Sequence, residues 1–286
     1  MPECINREDP MHFCSSERKI MKTVVWCTDI HLNFIDKQRI EQFCDRIVTA
    51  RSDALLIGGD ICEALDVTQN LVLLSELVTC PIYFVLGNHD FYRGSIATVR
   101  AKALELSESS STLHWMPQAG IVSLTEETCL IGHDGWADGR IGDYESSQVM
   151  LNDYVLIAEL RGLSKGNRQK KLHALGDEAA DYFCRVLPTA LIRFKHVLVL
   201  THVPPFRKAC WHEGKISTDD FLPHFSCKAV GDVLFEQMQE HPENKMTVLC
   251  GHTHSGGEVD ILPNLRVKTG AAVYGEPNLQ EVLEVP

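Results

Sequence analysis

The chain has 286 residues, 44% of them hydrophobic and 23% charged, and a formal net charge of −12. That length suits one large core, and the composition excludes a collagen, a coiled coil or a largely disordered chain. No apolar stretch approaches the roughly 20 residues needed to cross a bilayer, so a soluble protein is expected, and the acidic balance disfavours a protein that grips long nucleic acid through its overall field.

Residues 1–21 carry Glu3, Arg7, Glu8, Asp9, Glu17, Arg18 and Lys19 with no apolar core. They fail the secretory pattern and read as a disordered or loosely ordered tail. Residues 22–286 read as a single domain. Its first apolar run, Thr23 to Thr28, stops at Asp29 and His31. Asp36 then caps a helix whose apolar positions Ile40, Phe43, Cys44, Ile47 and Val48 fall at helical spacing. The run Ala54 to Gly59 stops at Asp60, and a second amphipathic helix follows over 66–78. Ile82 to Gly87 stops at Asn88, His89 and Asp90, and a third helix follows over 93–106. Apolar runs without polar alternation suit strands covered on both faces, and two strand, loop, helix units in succession predict a parallel sheet.

Leu113 to Trp115, Ile121 to Leu124 and Cys129 to Ile131 read as short strands of a second sheet. From about 135 to 190 the chain is polar, with helical stretches at 144–160 and 178–186, and reads as a helical insertion or cap. Val197 to Thr201 resumes the sheet and stops at His202. The long connection 203–227 carries Pro204, Pro205, Trp211, Phe221 and Phe225 and reads as a folded wall of a pocket, with packing the expected role of Trp211 and Phe225. A helix over about 228–239 leads to Met246 to Gly251, which stops at His252 and His254. The pieces 259–262, 265–267, 271–274 and 282–285 read as antiparallel strands.

Five apolar runs thus end at metal-binding residue types. In α/β proteins the loops past the carboxyl ends of strands converge, so three carboxylates, five imidazoles and one amide are expected to share a pocket. The ordered set Asp-x-His, Gly-Asp, Gly-Asn-His-Asp, a single His and Gly-His-x-His resembles the calcineurin-like metallophosphoesterase superfamily over roughly residues 22 to 275. The resemblance implies an α/β, four-layer αββα sandwich, two mixed sheets packed face to face with helices outside, the metallo-dependent phosphatase fold.

It also implies two divalent metal ions. Asp29, His31 and His254 would bind the first, Asn88, His202 and His252 the second, and Asp60 would bridge them. Oxygen and imidazole donors without thiolate suit Mn, Fe, Zn, Ni or Mg, and the sequence does not choose among them. A hydroxide shared by the ions would attack phosphorus in line. His89 would act as general acid or phosphoryl contact, oriented by Glu63, which stands where related protein phosphatases keep an Asp, or by Asp90.

Arg93 and Arg207 are candidate phosphate clamps, while Arg140 and the cluster Arg168, Lys170 and Lys171 read as solvated. His133, His212 and His224 also read as solvated. The segment Gly59-Asp60-Ile61-Cys62-Glu63-Ala64-Leu65 departs from the Gly-Asp-x-Val-Asp-Arg-Gly of protein phosphatases. Compact members of the family with Gly-Asn-His-Asp and Gly-His-Thr-His more often resemble phosphodiesterases, so the resemblance implies a small or nucleotide-like phosphodiester as substrate. A phosphomonoesterase of the same mechanism and a non-catalytic scaffold on this fold are the alternatives; the His-x-His-x-Asp-His signature of metallo-β-lactamases is absent. The 11 cysteines show no CxxC pair and lie mostly in apolar runs, as expected of a cytoplasmic protein.

Overall fold

Successive residues of the buried strands join different apolar clusters, and this alternation fixes the layers. In β1 (Thr23–Cys27), Val25 and Cys27 join one apolar cluster while Val24 and Trp26 join another. β2 (Ala54–Ile57) divides in the same way, with Leu55 and Ile57 on one face and Ala54 and Leu56 on the other. Successive side chains of a strand point to opposite faces, so both faces of this sheet are covered. The computed structural model describes residues 23–286, and the predicted N-terminal tail lies outside the described residues.

The remaining elements, in chain order, are α1 (Lys37–Thr49), α2 (Val67–Leu77), β3 (Ile82–Phe84), α3 (Ile96–Ser109), β4 (Leu113–Trp115), α4 (Met116–Ala119), β5 (Val122–Ser123), β6 (Thr128–His133), α5 (Asp153–Leu156), α6 (Lys165–Arg193), β7 (His196–Thr201), β8 (Trp211–His212), β9 (Lys215–Ile216), α7 (Leu222–Phe225), α8 (Lys228–Glu240), β10 (Lys245–Cys250), β11 (Gly257–Leu262), β12 (Leu265–Thr269) and β13 (Glu281–Glu284). One large sheet has the order β13-β1-β2-β3-β4 and a second β11-β12-β10-β7-β6-β5, while β8 and β9 pair as a separate two-stranded sheet. β1 to β4 run parallel, as do β6, β7, β10 and β12, while β13, β11 and β5 pair antiparallel at the edges.

The outer face of the first sheet packs on α1, α2 and α3 through Ile40, Phe43, Leu71, Leu74, Ile96 and Val99. The outer face of the second packs on α6 and α8 through Phe183, Leu187, Val230 and Leu234. Between the sheets, Val24, Trp26 and Leu56 of the first meet Leu130, Leu200 and Leu249 of the second. The result is the expected αββα sandwich of two mixed sheets. Local signals act as they should: the Asp36 side chain accepts from Arg39 N at 2.9 Å, and Ser95 caps α3 by accepting from Thr98 N at 3.1 Å.

Three expectations are corrected. Leu113–Trp115 belongs to the first sheet, parallel to β3, and the second sheet begins only at β5. Residues 271–274 form no strand, because the Ala271 amide and carbonyl are both taken by the Gln280 side chain and the chain then turns at Gly275, whose φ is 79°. The stretch read as an insertion or cap at about 135–190 divides in two. Residues 165–193 form one 29-residue helix that buries Leu172, Leu175, Ala179, Phe183, Leu187 and Leu191 and so belongs to an outer layer. The charges of 161–171 disguised it, and Arg168 is no solvated group: it is buried, its guanidinium 4.1 Å from the Tyr154 ring centroid and its Nε donating to Tyr144 Oη at 3.1 Å. Within 144–160 only α5 is helical, and its neighbourhood reaches the cavity described next.

Candidate metal centre

The parallel strands bring their carboxyl ends to one edge of the sandwich. Asp29 and His31 follow β1, Asp60 follows β2, Asn88 and His89 follow β3, His202 follows β7, and His252 and His254 follow β10. Asp29, His31, Asp60, Asn88 and His202 are buried, and His252 and His254 half-buried. Among the described residues, eight other than glycine have positive φ, and five of them are Asp29 (52°), His31 (42°), Asp60 (51°), His252 (72°) and His254 (57°). Left-handed backbone is costly for such residues, and concentrations of it mark sites held by their surroundings.

The loops interlock across the two sheets. His252 N donates to both carboxylate oxygens of Asp29, at 3.0 and 3.1 Å, and Gly251 N donates to His202 O at 2.8 Å. His89 N donates to Asp60 Oδ1 at 2.8 Å. Glycine is required where these loops touch. A methyl group at Gly87 would overlap Asp60 Oδ1, and one at Gly251 would overlap Asp29 Oδ2 and Thr28 Oγ1.

Two donor clusters result. In the first, one ligand atom each from Asp29, His31, Asp60 and His254 lies within 4.8 Å of all the others, and the Nε2 atoms of His31 and His254 are 3.1 Å apart. In the second, Asn88 Oδ1 faces His202 Nε2 at 3.1 Å and His252 Nδ1 at 2.9 Å, and Asp60 Oδ1 lies 3.4 Å from His202 Nε2. Asp60 therefore contributes one oxygen to each cluster.

The proton inventory of the second cluster identifies what it is built to hold. His202 Nδ1 faces the carbonyl of Gly58 at 2.9 Å, and His252 Nε2 faces the carbonyl of His224 at 3.0 Å. A neutral ring that donates to its carbonyl keeps a lone pair on the inward nitrogen. Asn88 Nδ2 donates to Asp153 Oδ1 at 2.8 Å, so its oxygen also points inward. Three lone-pair atoms then meet with no proton between them, a repulsive arrangement unless a cation sits among them. The residues fit divalent metal.

Electrostatics agree. Burial and the neighbouring carboxylates Asp29 and Asp90 push the Asp60 carboxyl well above its ordinary range. Burial works to raise Asp29 as well, but the hydrogen bond from His254 and the surrounding imidazoles hold it below that range. Burial lowers His31 to about 3 and His252 to about 4, the unprotonated form that ligation requires.

A cavity of about 260 Å³ opens onto both clusters, with His89, Tyr92, Asp153, His212, Phe225 and Tyr274 in its walls. His89 is placed on it as expected, its ring 4.6 Å from that of His31. The proposed orienting carboxylates are placed elsewhere. Glu63 pairs with Arg93, and Asp90 is fully buried and accepts from the backbone N–H groups of Ile61 (2.9 Å), Cys62 (2.8 Å) and Gly87 (2.8 Å). Asp90 thus shapes the loops rather than touching the cavity. Arg93 and Arg207 do not line the cavity, and Arg207 pairs with Asp219 at 2.7 Å. Arg140 is held between Asp138 and Asp177.

His133 and His224 are buried, against the expectation of solvation, and His212 lies half-buried in the cavity wall. His224 is fixed by Tyr154 and Ser147. Sequence reasoning missed Asp153, Tyr92 and Tyr274. Asp153 Oδ1 accepts from Tyr92 Oη at 2.7 Å as well as from Asn88. Tyr92 follows Asn88 by four residues, a proximity that could have flagged it, whereas Asp153 and Tyr274 stand in stretches with no motif.

The chain belongs to the calcineurin-like phosphoesterase family, whose model matches residues 22–256. It is a metal-dependent phosphoric ester hydrolase that uses two divalent ions. No individual curated protein matches the chain. Its fold is similar to that of a phosphopantetheinyl hydrolase from Mycobacterium tuberculosis, with 12% identity, a TM-score of 0.63, and 88% of this chain and 90% of that one covered. It is also similar to a dimetal phosphatase from Danio rerio, with 15% identity, a TM-score of 0.56, and 87% of each chain covered. A third likeness is to the protein TT1561 of Thermus thermophilus, with 13% identity, a TM-score of 0.53, and 88% and 90% covered.

Proposed function

We propose that the chain hydrolyses small phosphodiesters at the junction of the two donor clusters, with Asp29, His31 and His254 holding one ion, Asn88, His202 and His252 the other, and Asp60 shared. The observation that carries this reading is the second cluster, where Asn88 Oδ1, His202 Nε2 and His252 Nδ1 converge beside an Asp60 oxygen. When bound, two divalent ions lower the pKa of water towards neutrality and neutralise charge growing on phosphoryl oxygens.

The chain's own groups do the rest. His89 sits on the cavity wall next to Asn88, where its ring can donate a hydrogen bond to a phosphoryl or leaving oxygen. Among the described residues no carboxylate comes nearer its Nε2 than Asp60 Oδ2, at 3.9 Å, and burial beside the other imidazoles lowers its pKa to about 2, so it donates as a neutral ring N–H held in position rather than as an imidazolium with an Asp or Glu partner. Tyr92, whose ring lies 4.2 Å from that of His89, and Asp153 hold this wall in place.

The preference for a diester follows from charge. No Lys or Arg lines the cavity among the described residues, and Asp60 and Asp153 do. With the charge of the two ions counted, a monoanionic diester needs no further cation, whereas a dianionic monoester brings one more negative charge with no Lys or Arg in the wall to meet it. The buried thiols Cys27, Cys129 and Cys250 support a place in the reducing cytoplasm. Among the described residues, no helix is long and apolar enough to cross a membrane.

The test is to strip the protein of metal, restore Mn, Ni, Zn or Mg in turn, and compare turnover of bis-p-nitrophenyl phosphate with that of p-nitrophenyl phosphate. Faster hydrolysis of the diester under at least one metal is expected. Preference for the monoester would overturn the substrate assignment, and inertness towards both would favour a scaffold.

A further inference from the structure

Two large aromatic side chains stand half exposed at the mouth of the metal cavity. Phe34 and Tyr274 are 51% and 48% exposed, with their rings 4.9 Å apart at 48°. The Tyr274 ring also lies 4.6 Å from that of His31 and 4.8 Å from that of His254, and it lines the cavity. Its loop is pinned from both sides: Ala272 N donates to His254 O at 3.2 Å, the Gln280 side chain holds Ala271, and the Arg46 guanidinium donates to Pro277 O and to Asn278 Oδ1. A flat ring fixed beside a charged site gives a binding surface without further ordering. With no cation in the cavity wall among the described residues, recognition of the part of a substrate beyond its phosphate falls to such contacts.

We infer that Tyr274, backed by Phe34, stacks a planar heterocycle carried by the phosphate ester, so that the site selects nucleoside esters over simple alkyl ones. This rests on the hydrolase reading of the same site. Base stacking on an aromatic side chain is sequence-tolerant, because every base presents a π face.

Thymidine 5′-p-nitrophenyl phosphate and methyl p-nitrophenyl phosphate share a leaving group and differ in the planar ring. With Mn-loaded protein, the kcat/KM ratio of the first to the second is expected to be about tenfold or more, within the range stacking supplies. Tyr274→Leu should bring the ratio near unity and Tyr274→Phe should keep it. Phe34→Ala, at a half-exposed position that puts folding at little risk, should lower it partway. A wild-type ratio near unity, or a ratio unmoved by Tyr274→Leu, overturns the inference and leaves the hydrolase intact. Equilibrium binding of thymidine 5′-monophosphate against inorganic phosphate separates the other case. Tighter binding of the nucleotide that Tyr274→Leu abolishes, without turnover of either ester, would sustain the stacking surface and sink hydrolysis.

Discussion

Asp153→Ala tests whether a carboxylate that supplies no inward donor atom to either cluster governs one of them. Asp153 is 4% exposed, and its Oδ1 accepts from Asn88 Nδ2 at 2.8 Å and from Tyr92 Oη at 2.7 Å. Removing it takes one hydrogen bond from each donor and leaves only the bond that already runs from Asn88 Nδ2 to Tyr92 Oη at 3.2 Å. For Asn88 the loss is one hydrogen bond to a carboxylate, about 2 kcal/mol, which frees it to turn its oxygen away from His202 and His252. At about 1.4 kcal/mol per decade that is about 30-fold in metal affinity. The figure lies inside the 10- to 100-fold, or about that, seen when outer partners of metal ligands are removed. Calorimetric titration of metal-free protein with Mn should show the cluster of Asn88, His202 and His252 weakened by this amount and that of Asp29, His31 and His254 changed much less. Thermal unfolding without metal should show the fold retained. Unchanged affinity at both clusters would refute the reasoning, since Asn88 would then be oriented by something else; equal loss at both would show that Asp153 supports the whole edge.

His89→Ala should bind both ions and lose about two to four powers of ten in kcat, the usual worth of a positioned proton donor, which single-turnover rates with metal counted by atomic absorption would check. Gly251→Ala forces Asp29 or Thr28 to move, so Mn affinity at the Asp29 cluster should fall by about tenfold or more, within the cost of overpacking a rigid site. Stability of the metal-free protein should fall on acidification. Burial holds the His133 and His224 imidazoles at about 4 against an ordinary 6.5. The unfolded chain therefore takes up protons between those values that the folded chain refuses, and stability present above pH 6.5 is lost as pH falls towards 4. Urea midpoints at pH 7 and pH 5 should show this drop, and His133→Gln should reduce it; a midpoint that rises on acidification would contradict the assignment.

Much of the donor set was legible because its signal is local. An apolar run that stops at Asp, Asn or His reads as a strand end, and parallel strands bring such ends to one edge, so Asp29, Asp60, Asn88, His202 and His252 meet although the chain separates them widely. Capping at Asp36 and the apolar spacing of α1 were visible for the same reason: both depend on residues within a turn or two.

What only the tertiary structure decided depends on partners distant in sequence. Glu63, and Asp90 as the second candidate, look able to orient His89 until Arg93 takes the first and three backbone amides take the second. Asp153 gains its role because an irregular segment carries it to Asn88, 65 positions away. Tyr274 faces the cavity because a side-chain amide at Gln280 replaces the expected strand pairing. Periodicity reports which face of an element is apolar, but the partner of a buried charge is set by how the layers stack, and that is decided in three dimensions.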